Sequence, residues 1–421
     1  MSFAYRHGAL CAEQVPLEAI AARFGTPCYV YSSAAITAAY GEFARALQGR
    51  DARVCYSVKA NSNLAVLALL ARLGSGFDIV SGGELERVLA AGGEAAKALF
   101  SGVGKSVAEI ELALGRGIGC INVESEPELE RVAAAAERLG RRAPIALRVN
   151  PDIDARTHPY ISTGLRENKF GVAHADAEHL YLRTTTMRSV ELVGIGCHIG
   201  SLLADAAPFA AAAARLAALV GRLEEKGIRL RHIDVGGGIG IRYQDESPQP
   251  IDAFVRGALA ALAGRRETVI VDPGRAIVGN AGILLTRVEY VKLGATRSFL
   301  VVDAAMNDLI RPPLYGAWHE VRTVREQAGD AAVYDVVGPV CVSADFLAKE
   351  RRLAAREGDL LAIMSAGAYG MVMSSNYNSR PRSAEVLVDG ADAHLVRRRE
   401  TAGELFAAEQ IPVRQSRSPR D

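Results

Sequence analysis

A lysine stands at the end of an apolar segment, in the stretch VCYSVKAN at positions 54–61. Other segments that look like strands also end in polar residues or glycines, and these are His198, Ser201, Gly236, Gly237, Gly238, Asp272 and Arg275. Together with Lys59 they offer an amine, an imidazole, a run of backbone amides, a carboxylate and a guanidinium. A neutral amine is a nucleophile, and consecutive glycine amides can converge on an anion.

Each of these residues also has a purely structural interpretation. A single lysine at a strand end is usually a surface residue that extends its ammonium into water, and a glycine run can serve only a tight turn. The glycines do not fit the dinucleotide pattern G-x-G-x-x-G, because position 241 is Ile. The stretch FSGVGKS is not a Walker A loop, because its first glycine would be position 99, which is Leu.

The set as a whole points to one cofactor. Pyridoxal phosphate needs an amine for a Schiff base, a site for its phosphate and an acid beside its pyridine nitrogen. Lys59, the glycines at 236–238 and Asp272 would meet these three needs if the fold brought them to one rim.

The elements around these residues predict such a rim. From residue 53 to residue 275, short β-rich segments alternate with Ala-, Leu- and Glu-rich segments of helical periodicity. The strand segments are RVCYSVKA, GFDIVS, ALFSGV, CINVES, PIALRVN, VGIGCHIGS, HIDVGGG and VIVDPGR. Eight such βα units predict a (β/α)8 TIM-type barrel, whose chemistry sits at the C-terminal ends of the strands. An open doubly wound sheet is the alternative that periodicity leaves open.

After about residue 281 the pattern changes to strands without long helices between them. The segments are GILLTRVEYVKL, RSFLVVDA, AVYDVV, DLLAIM and AEVLVDG. We therefore predict a PLP-binding barrel over 30–281 and a β-rich domain made of 1–29 and 282–421. The last residues, RQSRSPRD, are polar and are predicted to be disordered.

The composition excludes several classes of function. The 421 residues contain 49 Lys plus Arg and 48 Asp plus Glu, which gives no support for binding to nucleic acid or to an anionic membrane. No apolar stretch is long enough to span a membrane, and MSFAYRHGAL lacks the layout of a signal peptide. The six cysteines form no CxxC pair, which favours reduced, mostly buried thiols in a cytoplasmic protein without a metal framework.

Beyond these features, the chain resembles the bacterial diaminopimelate decarboxylases from about residue 5 to about residue 400. These are fold-type III pyridoxal-phosphate enzymes, similar to alanine racemase and eukaryotic ornithine decarboxylase. The resemblance is carried by YSVKANSN, GFDIVSGGEL, FSGVGK, NVES, RVNPD, THPYISTG, NKFG, CHIGS, HIDVGGGIG, DPGR, MNDLIRPPLY, GPVC and GAYGMVMSSNYNSRPR. It implies decarboxylation of meso-diaminopimelate to L-lysine, the last step of lysine biosynthesis.

The resemblance also implies a set of cofactor contacts. Lys59 would hold pyridoxal phosphate covalently, and desolvation would favour its neutral, nucleophilic form. His198 would stack on the pyridine ring, and Asp272 would keep the pyridine nitrogen protonated. The phosphate would be bound by Ser201, Gly236, Gly237, Gly238 and Tyr369.

Two further groups of residues follow from the resemblance. Cys341, in GPVC, matches the general acid that reprotonates the substrate carbon from across a dimer interface, which implies a homodimer with shared active sites. Arg275, Arg311 and Tyr315, together with Tyr369, match the residues that bind the distal carboxylate of the substrate, for which the planar guanidinium is well suited.

Three positions depart from the family pattern. Asp272 replaces a glutamate, and Leu202 replaces a glutamine. Val342 replaces the glutamate that pairs with the distal ammonium of the substrate, and the loss of one partner of a buried ion pair typically costs about 3–5 kcal/mol. A substrate with that ammonium would bind poorly unless Ser343, Asp345 or water takes over.

Two other functions therefore stay open at this point. One is a paralogous decarboxylase of another amino acid that has a distal carboxylate or a tethered acyl group but lacks the ammonium. The other is a non-catalytic homologue that binds the cofactor, against which Lys59 and Cys341 argue. Alanine racemization is disfavoured, because the GPVC motif points to decarboxylation.

Overall fold

The computed structural model describes residues 2–153, 169–327 and 329–412. The block THPYISTG, the first residue of NKFG and the C-terminal segment RQSRSPRD lie outside the described residues. The chain begins with a small antiparallel sheet, then a helix, a strand and a second helix. These elements are β1 (Phe3–Arg6), β2 (Ala9–Ala12), β3 (Val15–Pro16), α1 (Leu17–Phe24), β4 (Cys28–Ser32) and α2 (Ser33–Ala46).

Eight parallel strands of the described chain close into a barrel, and one short strand, β10, is added to β9. The strands are β5 (Ala52–Ser57), β6 (Gly76–Ile79), β7 (Ala98–Phe100), β8 (Cys120–Val123), β9 (Ala143–Asn150), β10 (Val172–Ala173), β11 (Val190–Gly196), β12 (His232–Asp234) and β13 (Thr268–Val271). The sheet is closed because β8 pairs with β9 and β13 pairs with β5. The predicted (β/α)8 barrel is confirmed, and the open-sheet alternative is wrong.

Helices follow most of the barrel strands. They are α3 (Leu64–Arg72), α4 (Gly82–Ala90), α5 (Val107–Arg116), α6 (Glu126–Arg138), α7 (His174–Thr184), α8 (Ala207–Glu225), α9 (Ile251–Ala261) and the short α10 (Arg275–Val278). Ser81, Ser106 and Ser125 accept hydrogen bonds from helix amides at the starts of α4, α5 and α6, which fixes where these helices begin. None of the described helices is long and apolar enough to cross a membrane.

The interior of the barrel is packed rather than hollow. Small and medium-sized side chains from six strands meet there and form one cluster, which contains Cys55, Leu99, Cys120, Ala146, Val193 and Ile270. Five of the six cysteines are buried, and Cys341 is exposed. The expectation that most cysteines are small buried hydrophobic residues is therefore confirmed.

The second domain is a mostly antiparallel sheet. Its elements are β14 (Gly282–Lys292), β15 (Phe299–Val302), α11 (Arg311–Tyr315), β16 (Val321–Thr323), β17 (Ala332–Val337), β18 (Phe346–Leu353), β19 (Leu360–Ile363), β20 (Ala384–Asp389), β21 (Asp392–Arg397) and α12 (Ala402–Leu405). All five predicted strand segments are strands. The additional strands β16, β18 and β21 were missed because they are short or rich in charged and polar residues.

The N-terminal segment is joined to this second domain. Strand β4 pairs with β14 and β20, and the amide of Leu10 donates to the carbonyl oxygen of Val324 at 2.7 Å. β4 extends from Cys28 to Ser32 and therefore crosses the position 29/30 at which the domain boundary was predicted. That domain boundary stays a prediction.

A buried histidine at the start of β12 makes stability depend on pH. Burial, aided by Arg53 and Arg231, lowers the pKa of His232 to about 4. In the unfolded chain His232 has its ordinary pKa near 6.5 and therefore binds a proton more readily than in the folded protein. The free energy of unfolding is therefore highest above about pH 6.5 and falls as the pH drops toward 4. Between these pH values we expect the free energy of unfolding of His232→Leu to fall by about 3 kcal/mol less than that of the wild type. Denaturant unfolding at several pH values measures this difference. The exposed His179→Gln variant is the control, and a wild-type pH dependence in His232→Leu would contradict the assignment.

Candidate active site

Lys59 lies in a short 3₁₀ turn, Val58–Ala60, directly after β5. Its Nζ is 2.9 Å from Oδ2 of Asp78, the third residue of β6. The lysine side chain is 36% exposed, whereas that of Asp78 is 1% exposed. The hydroxyl of Ser57 also donates to Asp78 Oδ2, at 3.0 Å. The amine is thus held at the mouth of the barrel by a buried acid.

A cavity of about 330 Å³ opens beside this amine. We call it the lysine cavity, and it is lined by Lys59, Asp78, Val80, Ser101, Gly102, Val103, Asn122, Arg148, Phe170, Gly196, Cys197, His198, Asp234 and Asp272. Three predicted site residues, Lys59, His198 and Asp272, therefore share one cavity although 213 positions separate the first from the last (272 − 59). They meet because each follows the C-terminal end of a parallel strand.

Three buried carboxylates face the lysine cavity. Asp272 Oδ1 is 3.7 Å from Nδ1 of His198, and neither Asp78 Oδ1 nor Asp272 Oδ1 has a hydrogen-bond partner among the described residues. Asp234 accepts a bond of 2.9 Å from the amide of Gly236, and burial, then Asp272, raises its pKa. Among the described residues, no group of three or more His, Cys, Asp or Glu residues could hold a metal ion.

The charge of Lys59 differs from the sequence-based expectation. Burial acts to lower the pKa of Lys59, but Asp78 and Asp272 outweigh it and raise this pKa above its ordinary value. The expectation that the amine of Lys59 is neutral is therefore wrong when only the charges of the protein itself act on this lysine. The reason is that two acids from other strands lie within range of the ammonium.

The glycine turn after β12, at positions 236–238, packs tightly against Asp272 and against the loop that carries His198. Gly236 and Gly238 have φ values of +83° and +84°, a region that favours glycine. A Cβ on Gly237 would lie 2.6 Å from Asp272 Oδ1, and a Cβ on Gly238 would lie 1.9 Å from the carbonyl oxygen of Gly200. Only glycine fits these positions, so the turn presents backbone rather than side chains.

A second group of predicted residues lies next to this turn. Arg275 and Arg311, called the arginine pair below, are 8% and 4% exposed. Arg275 donates through Nη1 to the hydroxyl of Tyr243 at 2.7 Å and through Nη2 to Ser201 Oγ at 3.3 Å. The guanidinium of Arg311 is 4.7 Å from the ring centre of Tyr243.

No carboxylate among the described residues forms a salt bridge with either member of the arginine pair; the salt bridges found there involve other basic residues. Buried charges are ordinarily paired, because their desolvation is expensive. Two buried guanidiniums without an acid therefore form a site suited to an anionic group that comes from outside the chain.

Two tyrosines border the arginine pair. The amide of Tyr369 donates to the carbonyl oxygen of Ala60 at 2.8 Å, and its ring centre is 4.7 Å from the guanidinium of Arg275. Tyr369 thereby connects the turn that carries Lys59 to the arginine pair. Tyr315 is half-buried and ends α11, the helix that begins at Arg311.

Cys341 is not brought to the lysine cavity within one chain. It lies in the loop between β17 and β18, is exposed, and donates its amide hydrogen to Asn378 Oδ1 at 2.9 Å. The adjacent Val342 side chain is 42% exposed. Of the substitutes considered for the missing glutamate, Asp345 already accepts bonds of 2.7 Å from the amides of Met306 and Val340, one at each carboxylate oxygen.

Four residues of these two sites had no predicted role, namely Asp78, Asp234, Arg148 and Tyr243. A carboxylate inside an otherwise apolar barrel strand was a usable signal for Asp78 and Asp234, because such a charge is costly without a partner. Arg148, which pairs with Glu124 at 2.9 Å, and Tyr243 carried no comparable signal.

Comparison with known proteins agrees with this geometry. Residues 33–279 match the family model described as "Pyridoxal-dependent decarboxylase, pyridoxal binding domain". The chain is 59% identical over 411 residues to a diaminopimelate decarboxylase of Pseudomonas fluorescens, covering 97% of this chain and 99% of that protein. A crystal structure of diaminopimelate decarboxylase from Helicobacter pylori complexed with L-lysine matches with a TM-score of 0.90 and 43% identity, covering 93% of this chain and 99% of that one. One from M. jannaschii matches with a TM-score of 0.93 and 34% identity, covering 98% of each chain.

Proposed function

The chain belongs to the diaminopimelate decarboxylase family of pyridoxal-dependent decarboxylases, and we propose that it converts meso-diaminopimelate to L-lysine and carbon dioxide. The observation that carries this proposal is the buried arginine pair, which has no acid partner among the described residues and is linked through Tyr369 to the turn of Lys59. The paralogue that Val342 left open is not favoured, because relatives with 59%, 58% and 53% identity are diaminopimelate decarboxylases.

The residues present fit pyridoxal phosphate. The lysine cavity offers an amine, and the unpartnered Asp272 Oδ1 is a carboxylate oxygen available to a protonated pyridine nitrogen. The turn at Gly236, Gly237 and Gly238, where a Cβ would collide with neighbouring protein atoms, presents backbone rather than side chains to a phosphate. When bound, the cofactor supplies an electron sink for the bond that breaks.

Each cofactor residue has a proposed task. Lys59 would hold the cofactor covalently, and Asp78 holds Lys59 in place through the 2.9 Å contact. His198 would pack against the pyridine ring, and Asp272 would keep the ring nitrogen protonated. Ser201, Tyr369 and the three glycines would bind the phosphate.

The substrate is oriented by its far end. The distal carboxylate binds to Arg275 and Arg311, with Tyr315 and Tyr369 at the border of the site. This contact directs the other amino-acid centre of the substrate toward Lys59. Because the guanidiniums are buried, a substrate without the distal carboxylate leaves them without an anion, which is unfavourable.

The proton that replaces the lost carboxylate comes from Cys341 of a second copy of the chain. This proposal rests on the exposure of Cys341, which lies beside the exposed Val342 and is tied to the Tyr377–Ser379 turn. Val342 and Tyr377 are 42% and 51% exposed, and exposed apolar side chains of this kind are typical of interfaces. The enzyme is then a two-fold homodimer whose active sites each use residues from both chains.

A substrate panel tests the proposed function. We expect release of carbon dioxide and formation of L-lysine from meso-diaminopimelate, with kcat/KM at least about 100-fold higher than for L-lysine or L-ornithine as substrates. These two amino acids keep a distal amine but lack the distal carboxylate. Release of carbon dioxide is measured with the holoenzyme. Equal turnover of all three would contradict the role of the arginine pair, and no turnover of any would contradict the function.

A further inference from the structure

Behind the arginine pair lies a histidine that nothing above employs. His319 is 0% exposed, and its Nε2 is 2.8 Å from Nη1 of Arg311. Its Nδ1 is 2.8 Å from the carbonyl oxygen of Met364. A carbonyl oxygen only accepts and a guanidinium only donates, so Nδ1 carries the proton and Nε2 accepts from Arg311. Both nitrogens of the neutral ring are thereby satisfied.

The surroundings of His319 hold the ring and keep it neutral. Its ring packs edge-on against Tyr243, with 5.3 Å between centroids and 80° between planes. The charged groups that lower its pKa are the cations Arg311, Arg275 and Arg351, and Arg351 donates to the carbonyl oxygen of His319. Burial, then Arg311, lowers the pKa of His319 to about 3. The imidazole is therefore an uncharged acceptor at neutral pH.

We propose that His319 is a positioning residue, a neutral acceptor that orients Arg311 without cancelling its charge. The remaining N–H groups of Arg311 then meet the distal carboxylate of the substrate with the full positive charge. This inference rests on the proposed function, because it assigns the arginine pair to that carboxylate.

The physical argument is a comparison of three possible neighbours for Arg311. A carboxylate in place of the imidazole would form a buried ion pair with Arg311, and the incoming carboxylate would have to compete with it. An apolar side chain would leave one guanidinium N–H without an acceptor, and the guanidinium would no longer be held in one orientation. A neutral acceptor alone supplies the hydrogen bond and leaves the charge available.

The test uses two ligands that differ by one group. Bound as the reaction product, L-lysine keeps the carboxylate that does not leave, which is the one assigned to the arginine pair. Cadaverine is the same molecule without that carboxylate, so their inhibition of the holoenzyme isolates the contact with Arg311. For His319→Glu we expect L-lysine to bind about 100-fold more weakly, with cadaverine within about threefold of wild type. The KM for meso-diaminopimelate rises by a similar factor while kcat changes little, because the contact exists in the ground state and the transition state alike.

Two milder variants provide the matched controls. His319→Gln places an amide oxygen where Nε2 stood and should keep L-lysine affinity within about threefold, whereas His319→Leu should lose about tenfold. His319→Asn retains a donor toward Met364 but does not reach Arg311, so it should resemble the leucine variant. Thermal unfolding of each variant confirms that the domain is folded.

The outcomes separate this inference from the proposed function. If Arg311→Leu leaves L-lysine binding unchanged, the assignment of the arginine pair fails, and the role of His319 fails with it. If Arg311→Leu weakens L-lysine selectively but His319→Glu does not, or weakens cadaverine equally, then only the inference about His319 is overturned.

Discussion

Lys59→Ala is expected to abolish covalent attachment of pyridoxal phosphate and to lower turnover of meso-diaminopimelate by about 10³-fold or more. The amine is the group in the lysine cavity that can form the Schiff base with the cofactor, and no other lysine lines that cavity among the described residues. Attachment is measured from the visible absorption of the protein-bound cofactor and from the mass of the protein after borohydride reduction.

A second lysine variant provides the control for this result. Lys97 is half-exposed and pairs with Glu94 on the surface at 2.6 Å, so Lys97→Ala should keep both absorption and turnover. A reduced Lys59→Ala protein that still carries the mass of the cofactor would show that another amine is the attachment site. Retained turnover in that variant would contradict the assignment of the lysine cavity as the active site.

Cys341→Ala is expected to lower kcat by about 10²- to 10⁴-fold, the range for loss of a general acid, with little effect on cofactor binding. Cys341 lies outside the lysine cavity of its own chain, so in the proposed homodimer the proton would come from the partner chain. Co-expression of Lys59→Ala and Cys341→Ala chains with different affinity tags allows purification of the hybrid dimer. One of its two sites combines an intact lysine with an intact cysteine, so the hybrid should recover about half of the wild-type activity.

A hybrid in which the two changed residues are contributed to a cavity by the same chain, but each chain carries only one change, is the matched control. Lys59 and His198 line one cavity of one chain, so a hybrid of Lys59→Ala and His198→Ala chains leaves each site with one defect. It should stay inactive. No recovery in the Lys59→Ala and Cys341→Ala hybrid would place the cysteine within its own chain's site or outside the reaction, and a monomeric protein in solution would exclude sharing altogether.

Much of the fold could be predicted because the local signals agree with one another. The eight barrel strands were found from β-rich segments followed by helical periodicity, since each βα unit must bury its own apolar stripe. Strands β16, β18 and β21 were missed because FLAKERRL and similar edge segments lack an apolar alternation. The extension of β4 beyond the predicted boundary at 29/30 left no local signal, because pairing with β14 and β20 is a contact between distant parts of the chain.

Which reactive groups stand at the ends of barrel strands could be predicted from the order of residues, because parallel strands bring those ends to one rim whatever lies between them. Lys59, His198 and Asp272 were placed in one cavity by that rule. The pKa shift of Lys59 and the neighbours of Arg311 became known from the folded structure, because both depend on distances between side chains of different elements. Electrostatic interactions change steeply over a few ångströms, and the order of residues along a chain does not encode such distances.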